Sequence, residues 1–302
     1  MKVIITGGLG FIGTQLSIRL LESGRQVTIV DHSPKPRPYT PQEARYVSAD
    51  TMIPGSWQEE VGNHDAVINL AGASIFRRWN NETKQLIYDS RILTTRNVVE
   101  AMPKDKGALL CSTSAVGYYG FRGDGQLTEE DSPGNDFLAR VCVDWEREAR
   151  KAAEKGVRAA ITRFGIVLGR TGGVLGKMIP AFKKFVGGPL GSGKQWFSWI
   201  HIEDLLKAFL FVFENQDIHG PVNFCSPNPV RNRDLAKALG KALSRPSFLT
   251  APAIILRLVL GEFGSVLLEG QRVIPAKLVK YGFTFQYPEI MGALQEVVGQ
   301  TS

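Results

Sequence analysis

A glycine-rich stretch near the start of the chain, ITGGLGFIG, has the residue types that hold a dinucleotide. It contains G-x-G-x-x-G and also T-G-x-x-G-x-x-G, with an apolar strand pattern before it and a helical pattern after it. Glycines let the backbone approach a pyrophosphate, and the helix N-terminus offers free N–H groups and the positive end of its dipole. An ordinary strand–helix turn is the alternative. We predict that five residues of this loop bind the cofactor: Gly7, Gly10, Phe11, Ile12 and Gly13.

Acidic residues end the second and third predicted strands. Asp31 can accept hydrogen bonds from the ribose hydroxyls of NAD, and it would repel the 2′-phosphate of NADP. His32, Lys35 and Arg37 follow at once and soften that repulsion, so the sequence favours NAD only slightly over NADP. Asp50 is placed to meet the adenine, and a solvated turn aspartate is an equal alternative for it.

A second glycine stretch, GGPLGSGKQ, matches G-x-x-x-x-G-K, which is the pattern of an ATPase phosphate loop. A phosphate loop needs a strand before it, a helix after it, and Ser or Thr after its lysine. Here Gln195 follows Lys194, a helical pattern precedes the loop, and a strand-like pattern follows it. We therefore predict no ATP site. We expect the loop to form a flexible wall of a second lobe, where Lys194 and Gln195 face an anionic or hydroxylated substrate.

The elements that must position these residues follow a repeating pattern. Short apolar strands alternate with helical patterns, among them helices at about 82–101 and 135–155. Such alternation requires parallel strands with helices on both faces, so the predicted fold class is α/β, a Rossmann-type doubly wound parallel sheet. The predicted strands are KVIIT, QVTIV, RYVSA, AVINLAG, GALLCSTS, RAAITRFG and PVNFCS.

The pattern changes after Gly169, where glycines crowd together, and it is mainly helical from Pro227 onward. We predict a dinucleotide-binding core over residues 1–168 that is completed by about 198–225. Residues 169–197 and 226–302 are then a smaller, mainly helical C-terminal substrate lobe.

Composition excludes several classes of protein. The chain has 302 residues and a net charge of +7, but its cations are dispersed, which favours an anionic small molecule over nucleic acid. Cys111, Cys142 and Cys225 are too few and too scattered for a disulfide framework or a metal site. A reducing cytoplasm is expected, because no signal peptide precedes the first strand. No apolar run approaches the roughly 20 residues that span a bilayer, so no membrane partner is expected. The oligomeric state stays open.

Several segments together resemble a known superfamily. TGGLGFIG, INLAG, CSTSAVGYYG and FSWIHIEDL resemble the extended short-chain dehydrogenase/reductases, which include the nucleoside-diphosphate-sugar epimerases. GGVLGKMIPAFKKFVGGPLGSGKQWFSWIHIEDL and LLEGQRVIPAKLVKYGF are similar to the YfcH-like epimerase family. The resemblance covers essentially the whole chain and implies a Rossmann fold with NAD or NADP. It leaves the substrate open, because substrates in that family are generally not established.

The resemblance also implies further cofactor contacts. Arg91 falls where a helix faces the cofactor, with a surface arginine as the alternative, and the Ile166–Val167 pair passes near the nicotinamide. Trp199 and His201 fall in the substrate region, although a packed histidine is the more ordinary interpretation of His201. Three residues after the fourth strand line the cofactor: Leu70, Ala71 and Gly72.

The chain departs from the superfamily at the catalytic motif. Members use a hydroxyl after the fifth strand and a Tyr-x-x-x-Lys pair on the next helix, where the lysine lowers the tyrosine pKa. Ser114 supplies the hydroxyl, but Leu138 takes the tyrosine position and Cys142 the lysine position. Tyr118 or Tyr119 could act as the acid/base, or Cys142 as a thiolate, or the protein binds a dinucleotide without ordinary catalysis. We predict Ser114 and Tyr118 as the catalytic residues.

The sequence therefore predicts an NAD(P)-dependent epimerase, dehydratase or reductase with an unknown polar or anionic substrate. A nucleotide sugar is one candidate. The alternative is an NAD(P)-binding sensor or interaction protein with little catalysis, because the Tyr-x-x-x-Lys pair is missing.

Overall fold

A computed structural model of the chain describes residues 1–105, 107–170 and 172–299. Its strands are β1 (Lys2–Thr6), β2 (Gln26–Asp31), β3 (Arg45–Ser48), β4 (Ala66–Asn69), β5 (Leu109–Ala115), β6 (Gln126–Leu127), β7 (Arg158–Phe164), β8 (Ile166–Gly169), β9 (Gly172–Gly173), β10 (Trp196–Phe197), β11 (Trp199–His201), β12 (Gly220–Phe224), β13 (Val230–Arg231) and β14 (Arg272–Val273).

Seven of these strands form one parallel sheet in the order β12-β7-β5-β4-β1-β2-β3. They correspond to the seven predicted strands, so the prediction of a doubly wound α/β fold is confirmed. The chain runs outward from β1 in one direction through β2 and β3, and it returns to the other side of β1 at β4. The sheet therefore has a topological switch point between β1 and β4, which is where open α/β sheets bind ligands.

The helices are α1 (Phe11–Glu22), α2 (Trp57–Gly62), α3 (Asn81–Ala101), α4 (Phe137–Arg150), α5 (Leu175–Lys183), α6 (Ile202–Glu214), α7 (Asn232–Ala242), α8 (Ala253–Leu260), α9 (Glu262–Val266), α10 (Ala276–Lys280) and α11 (Ile290–Gly299). Two 3-10 helices, Val116–Tyr119 and Lys151–Lys155, follow β5 and α4. The predicted helix at 82–101 is α3. The helix predicted at 135–155 is α4 plus the second 3-10 helix, because the Asp136 side chain caps the Ala139 N–H and starts α4 there.

Side-chain alternation along the strands builds a core on each face of the sheet. In β1, Val3 and Ile5 pack toward α1 and α6, whereas Ile4 packs toward α2, α3 and α4. Period-two burial on both faces is what a doubly wound sheet requires.

The region after β8 has its own apolar core, in which α5, α7 and α11 meet. Its residues include Leu175, Phe182, Leu235, Leu239 and Leu294. The limits of the predicted substrate lobe stay a prediction, and Thr171 and residues 300–302 of that lobe lie outside the described residues. Among the described residues no helix is both long and apolar enough to cross a bilayer.

Candidate functional site

At the switch point the glycine loop passes against the loop that follows β4. Open α/β sheets hold their ligands in a crevice at this place, here called the crevice. Gly7 has φ +69°, and a Cβ there would lie 2.8 Å from the Ala71 Cα, so both the conformation and the close approach require glycine. A Cβ on Gly13 would lie 2.6 Å from the Gly8 Cα, because the loop folds back onto the first turn of α1. Only the Gly7 carbonyl, at 3.2 Å, would crowd a Cβ on Gly10, so the Gly10 Cα borders open space.

The N-terminus of α1 is left without an internal partner. Gly10 is its N-cap, no side chain caps the helix, and its first turn carries no acidic residue. The first N–H groups of α1 are therefore available to an anion, and the helix dipole favours one there. The buried Thr14 hydroxyl in the same turn has no hydrogen-bond partner among the described residues. These features fit the pyrophosphate of a dinucleotide.

The Phe11 side chain explains why glycines occur at two positions at the end of β8 and just after it. A Cβ on either Gly169 or Gly172 would lie 2.6 Å from an atom of the Phe11 ring. The first residue of α1 therefore packs its ring onto bare backbone from the second half of the chain. Ile12 is half-buried beside it. Both residues can offer a cofactor their backbone N–H groups.

At the end of β2, Asp31 turns toward the glycine loop. One carboxylate oxygen accepts a hydrogen bond from the Leu9 N–H at 3.2 Å, and the other accepts one from the Ser33 N–H at 3.3 Å. The imidazole of His32 lies 3.2 Å from Asp31 Oδ1 and is 83% exposed. Lys35 and Arg37 are exposed on the following segment. Asp50 is exposed too, and its carboxylate accepts a hydrogen bond from the Met52 N–H at 3.0 Å, as turn aspartates do.

Arg91, on α3, places its guanidinium beside the loop after β4. Nη1 donates to the carbonyl oxygens of Ala73 at 3.1 Å and Ile87 at 2.9 Å. A Cβ on Gly72 would lie 3.3 Å from the Arg91 Cζ, and the guanidinium also lies 5.3 Å from the centre of the Trp145 ring. Burial lowers the pKa of Arg91, and no described carboxylate forms an ion pair with it. The Arg91 guanidinium therefore lies against Gly72 at the crevice without a described carboxylate to balance its charge.

Leu138 occupies the position of the missing catalytic tyrosine. It packs in an apolar cluster, here called the apolar wall, and a Cβ on Gly117 of the loop after β5 would lie 3.7 Å from its Cβ. Trp79 crosses Phe137 edge to face at 5.3 Å and tilts against Phe263 at 5.6 Å. The apolar wall consists of Trp79, Ile87, Phe137, Leu138 and Phe263.

Cys142 occupies the lysine position and is buried. Burial first, and the nearby Glu146 carboxylate second, raise the pKa of the Cys142 thiol to about 11, against smaller opposing effects of Arg91 and of hydrogen bonding to Ser114. A neutral thiol at physiological pH neither attacks a substrate nor replaces an ammonium. The geometry therefore speaks for a packing role.

The Ser114 hydroxyl is 1% exposed and is part of a buried ionic cluster. It donates to Glu146 Oε1 at 2.8 Å. Arg163 holds the same carboxylate with two bonds, Nε to Oε1 at 2.7 Å and Nη2 to Oε2 at 2.8 Å, and Arg150 adds a third donor at 2.8 Å. Both partners of the Arg163–Glu146 pair are buried. Sequence reasoning missed this pair, because nothing in their spacing shows that α4 and β7 bring them together.

The two tyrosines after β5 differ in what their hydroxyls do. Tyr119 is fully buried, accepts from Arg163 Nη1 at 2.8 Å and donates to Asn223 Oδ1 at 2.7 Å, and burial raises its pKa well above the usual value. Tyr118 is half-buried, with its ring centre 3.5 Å from the Arg163 Cζ. No described residue forms a hydrogen bond with the Tyr118 hydroxyl. Ser114 and Tyr118 therefore contact one ion pair, and only Tyr118 keeps a free hydroxyl.

The residues predicted to face a substrate do not lie together. Trp199 and His201 are fully buried at the boundary with the predicted substrate lobe, where the indole donates to the Asn228 carbonyl at 3.1 Å and His201 Nε2 lies 2.9 Å from a Glu296 carboxylate oxygen. Burial lowers the pKa of His201. Their side chains hold the lobe together rather than line an open surface.

The second glycine stretch runs from α5 to β10, with a helix before it and a strand after it, the reverse of a phosphate loop. Lys194 is exposed. The Gln195 amide donates to the carbonyls of Leu190 and Leu267, both at 3.1 Å, and its buried Oε1 has no described partner.

The remaining predicted cofactor residues lie around the crevice. The Leu70 N–H donates to the Thr6 carbonyl at 3.0 Å, which ties the end of β4 to the end of β1. Val167 lies in β8, pairs with Ile200 of β11 and is half-buried. The fold thus gathers the glycine loop, Asp31, the loop after β4 and Arg91 at one edge of the sheet.

A cationic cluster that the sequence analysis did not identify lies beside the loop after Tyr119. The guanidinium carbons of Arg231 and Arg272 lie 3.9 Å and 4.9 Å from the centre of the Trp196 ring. Asp124 accepts from the Trp196 indole at 2.9 Å and forms an ion pair with Arg231, which lowers the Asp124 pKa. The buried Arg272 Nε has no described partner. No local sequence signal marks this cluster, because four separate segments supply its residues.

Comparison with known proteins agrees with this geometry. Residues 3–224 match the NAD dependent epimerase/dehydratase family, and residues 251–297 match a domain of unknown function, DUF1731. The epimerase family protein SDR39U1 homolog of Arabidopsis thaliana, described as chloroplastic, is 40% identical over 99% of this chain and 87% of its own length.

Two solved structures are similar as well. The human epimerase family protein SDR39U1, crystallised with NADPH, is 33% identical, covers 99% of both chains and has a TM-score of 0.86. The nucleoside-diphosphate sugar epimerase of Corynebacterium glutamicum is 32% identical, with a TM-score of 0.78, over 99% of this chain and 58% of that one. The predicted relationship to the extended short-chain dehydrogenase/reductases, with NAD or NADP as cofactor, is confirmed at the level of the family. The chain belongs to the NAD-dependent epimerase/dehydratase family and is SDR39U1-like within it.

Proposed function

We propose that the protein is an enzyme that binds NADP(H) in the switch-point crevice and transfers a hydride to or from a small anionic substrate. The observation that carries the proposal is the contrast between the cofactor-binding features and the acid/base positions of the candidate site. The glycine loop and the uncapped N-terminus of α1 have the features that suit a dinucleotide, whereas Leu138 and Cys142 stand at the positions of the usual acid/base pair and Tyr118 has a free hydroxyl.

NADP(H) is favoured over NAD(H), contrary to the slight preference drawn from the sequence. The Asp31 carboxylate is already engaged by two backbone N–H groups and neighbours the His32 ring, so less of its charge faces a ribose phosphate. His32 and Arg37 are exposed and can pair with a 2′-phosphate. The similar human protein was crystallised with NADPH, which supports the same choice.

Arg91 is proposed to supply the cation that the missing lysine would have given. Its guanidinium lies against Gly72 at the crevice, and its Nη1 bonds leave donors unused. A bound dinucleotide would give these donors acceptors from a ribose or phosphate, and the desolvated cation would gain a partner. The bound nicotinamide supplies or accepts the hydride.

Tyr118 is proposed as the proton donor or acceptor. A carbonyl that receives a hydride needs a proton at its oxygen, and the Tyr118 hydroxyl is the free one on the loop after β5. Arg163 holds the Tyr118 ring from one side and is itself fixed by Glu146. Ser114 gives its hydrogen to Glu146, so we propose that it positions this cluster and accepts, rather than donates, toward a ligand.

The substrate is proposed to be anionic. Arg231 and Arg272 flank Trp196 beside the loop that carries Tyr118, and Arg272 keeps an unused buried donor. Exposed Lys194 adds a cation nearby, because its carbonyl accepts from Arg231. Paired guanidiniums suit phosphate or carboxylate groups. A nucleotide sugar is one candidate, in keeping with the description of the Corynebacterium glutamicum relative.

The test is a panel of nucleotide sugars and anionic carbonyl compounds, followed by NADPH consumption or product analysis. On any compound that turns over, Tyr118→Phe should lower kcat by ~10²–10⁴-fold, with cofactor affinity unchanged. Tyr281→Phe, an exposed tyrosine on another surface, is the matched control. Full activity of Tyr118→Phe would remove Tyr118 from the mechanism.

The second candidate is a cofactor-binding sensor or interaction protein. Two observations favour it: apolar residues occupy the tyrosine position, and the Ser114 hydroxyl already donates its hydrogen bond to Glu146. Tight cofactor binding with no turnover across the panel, and identical behaviour of Tyr118→Phe, would support it over the enzyme. For either function we propose a reducing compartment such as the cytoplasm, since all three cysteines are free and buried.

A further inference from the structure

The C-terminal region exposes an apolar helix face that no described residue covers. Helix α8 has no buried residue, and Ile254 and Leu258 are 78% and 74% exposed. Ile255 and Val259 are exposed next to them. Positions 254, 255, 258 and 259 lie on one side of a helix, because residues three and four apart are neighbours. A face of this kind on a protein surface marks an interaction site.

A neighbouring segment extends this face. Phe248 is 77% exposed, and Leu249, Phe185 and Val186 are exposed as well. The two segments touch, since a Cβ on Gly188 would overlap the Leu249 carbonyl. The resulting apolar surface consists of Phe185, Val186, Phe248, Leu249, Ile254, Ile255, Leu258 and Val259.

Only positive charge borders the apolar surface along these segments. Residues 155–202 and 235–261 contain no Asp or Glu. The guanidinium of Arg245 lies 4.9 Å from the centre of the Phe185 ring, and Lys183 and Lys184 immediately precede that phenylalanine. Arg257 is exposed on α8 itself. None of these four cations forms an ion pair with a described carboxylate.

We propose that the apolar surface docks the protein on an anionic lipid bilayer. Aliphatic side chains beside exposed lysines are the composition of interfacial membrane helices, whose cations pair with anionic headgroups. Protein interfaces, in contrast, are depleted in lysine and enriched in Tyr, Trp, Phe, Met and Arg. The apolar surface has two phenylalanines but no Tyr, Trp or Met, its other six side chains are aliphatic, and two exposed lysines border it. The expectation of no membrane partner came from the lack of a spanning segment, and docking on a surface needs none.

A single eight-residue helix inserts little apolar area, so docking should be reversible and weakened by salt. The charged border is therefore expected to contribute as much as the apolar face. This makes the two contributions separable by substitution.

The test is co-flotation of the full chain with phosphatidylcholine vesicles, with and without phosphatidylserine. The wild type should float only with the anionic vesicles, and added salt should release it. Ile254→Ser/Leu258→Ser and Lys183→Glu/Lys184→Glu should each weaken partitioning by about tenfold or more. Ile53→Ser and Lys280→Glu, an exposed aliphatic and an exposed lysine elsewhere, should leave it unchanged. Because every substituted side chain is exposed, thermal melting should confirm that all variants fold.

Four results would overturn the proposal. The wild type could fail to bind anionic vesicles, or the paired variants could bind as the wild type does. Sedimentation could instead reveal a dimer that Ile254→Ser/Leu258→Ser dissociates, or an acidic protein could compete the chain off the vesicles. Either would assign the surface to protein contact. NADP(H) affinity should be unchanged in all variants, which separates this test from that of the proposed function.

Discussion

The cofactor crevice and the apolar wall are neighbouring parts of the candidate site, but they differ in composition. Backbone atoms form the crevice, and side chains form the wall. The crevice is bare backbone, in which Gly7 and Gly13 have no room for a Cβ and the N-terminus of α1 is uncapped. The wall is filled by aromatic and aliphatic side chains, with Leu138 at the tyrosine position. The first region matches the glycine motif of the superfamily, and the second departs from its Tyr-x-x-x-Lys motif.

The difference teaches that binding a dinucleotide and moving a proton are separable in this fold. Backbone N–H groups and a helix dipole hold a pyrophosphate whatever side chains surround them. Proton transfer, in contrast, depends on one hydroxyl and on the charge beside it. The superfamily's tyrosine and lysine are both absent here, and we propose that Tyr118 and Arg91 replace them.

The largest effect should come from restoring the superfamily lysine. Cys142→Lys would place an ammonium in a buried position beside the Arg91 cation, with no free carboxylate, since Arg163 and Arg150 already hold Glu146. We expect urea denaturation to give a free energy of unfolding about 4 kcal/mol lower than that of the wild type. Cys142→Ala, the control, should cost roughly 1 kcal/mol. A lysine variant as stable as the wild type would mean that the buried position of Cys142 tolerates a charge.

Next in size, blocking the crevice should abolish cofactor binding. Gly10 is the N-cap of α1 and its Cα borders open space, so a tryptophan there would fill the anion site without disrupting the loop. Gly10→Trp should weaken NADP(H) binding on the order of 100-fold, or about 2.7 kcal/mol, by calorimetric titration. Gly292→Trp, where an added Cβ meets nothing within 4 Å, is the matched control. Equal affinities in the two variants would place the cofactor elsewhere.

A smaller effect should discriminate between the two cofactors. Arg37 is exposed after Asp31 and donates to the Tyr39 hydroxyl at 2.9 Å. If its guanidinium pairs with the 2′-phosphate, Arg37→Ala should weaken NADP(H) binding about tenfold and leave NAD(H) binding unchanged. Tyr39→Phe controls for the lost internal hydrogen bond. An equal loss of affinity for NADP(H) and NAD(H) would indicate that Arg37 maintains the conformation of the loop and does not bind the 2′-phosphate.

The smallest effect should be seen in the reactivity of the three buried thiols. Burial raises the pKa of Cys142 to about 11 and that of Cys111 to about 12, so the thiolate fraction stays low until well above neutral pH. We expect a thiol reagent at pH 8 to label none of the three cysteines of the native protein and all three after unfolding. Rapid labelling of native Cys142 would revive the thiolate mechanism.

Much of the fold was predictable because it depends on local patterns. Strand-length apolar runs, the helix that Gly24 ends and the glycine loop all have short-range physical causes. The seven predicted strands accordingly form one parallel sheet. The helical character of the last part of the chain has the same origin.

The candidate site was less predictable, because it depends on contacts between distant segments. Trp199 and His201 have residue types that could bind a substrate, yet the fold buries both. Tyr118 and Tyr119 are adjacent in the chain, but only the Tyr119 hydroxyl is engaged in a hydrogen bond, to Asn223 of β12. Arg231 and Arg272 give no local signal, and they meet at Trp196 only after three segments pack together.

The sequence by itself determined the α/β sheet, the crevice and the absence of Tyr-x-x-x-Lys, because glycine freedom, apolar periodicity and residue identity act within a few residues of chain. Tertiary structure alone decided that the Tyr118 hydroxyl is free, that Arg91 has no described carboxylate partner, and that the apolar face of α8 stays uncovered. These properties depend on burial and on partners far away in the chain, such as Arg163 for Tyr118 and Glu146 for Ser114.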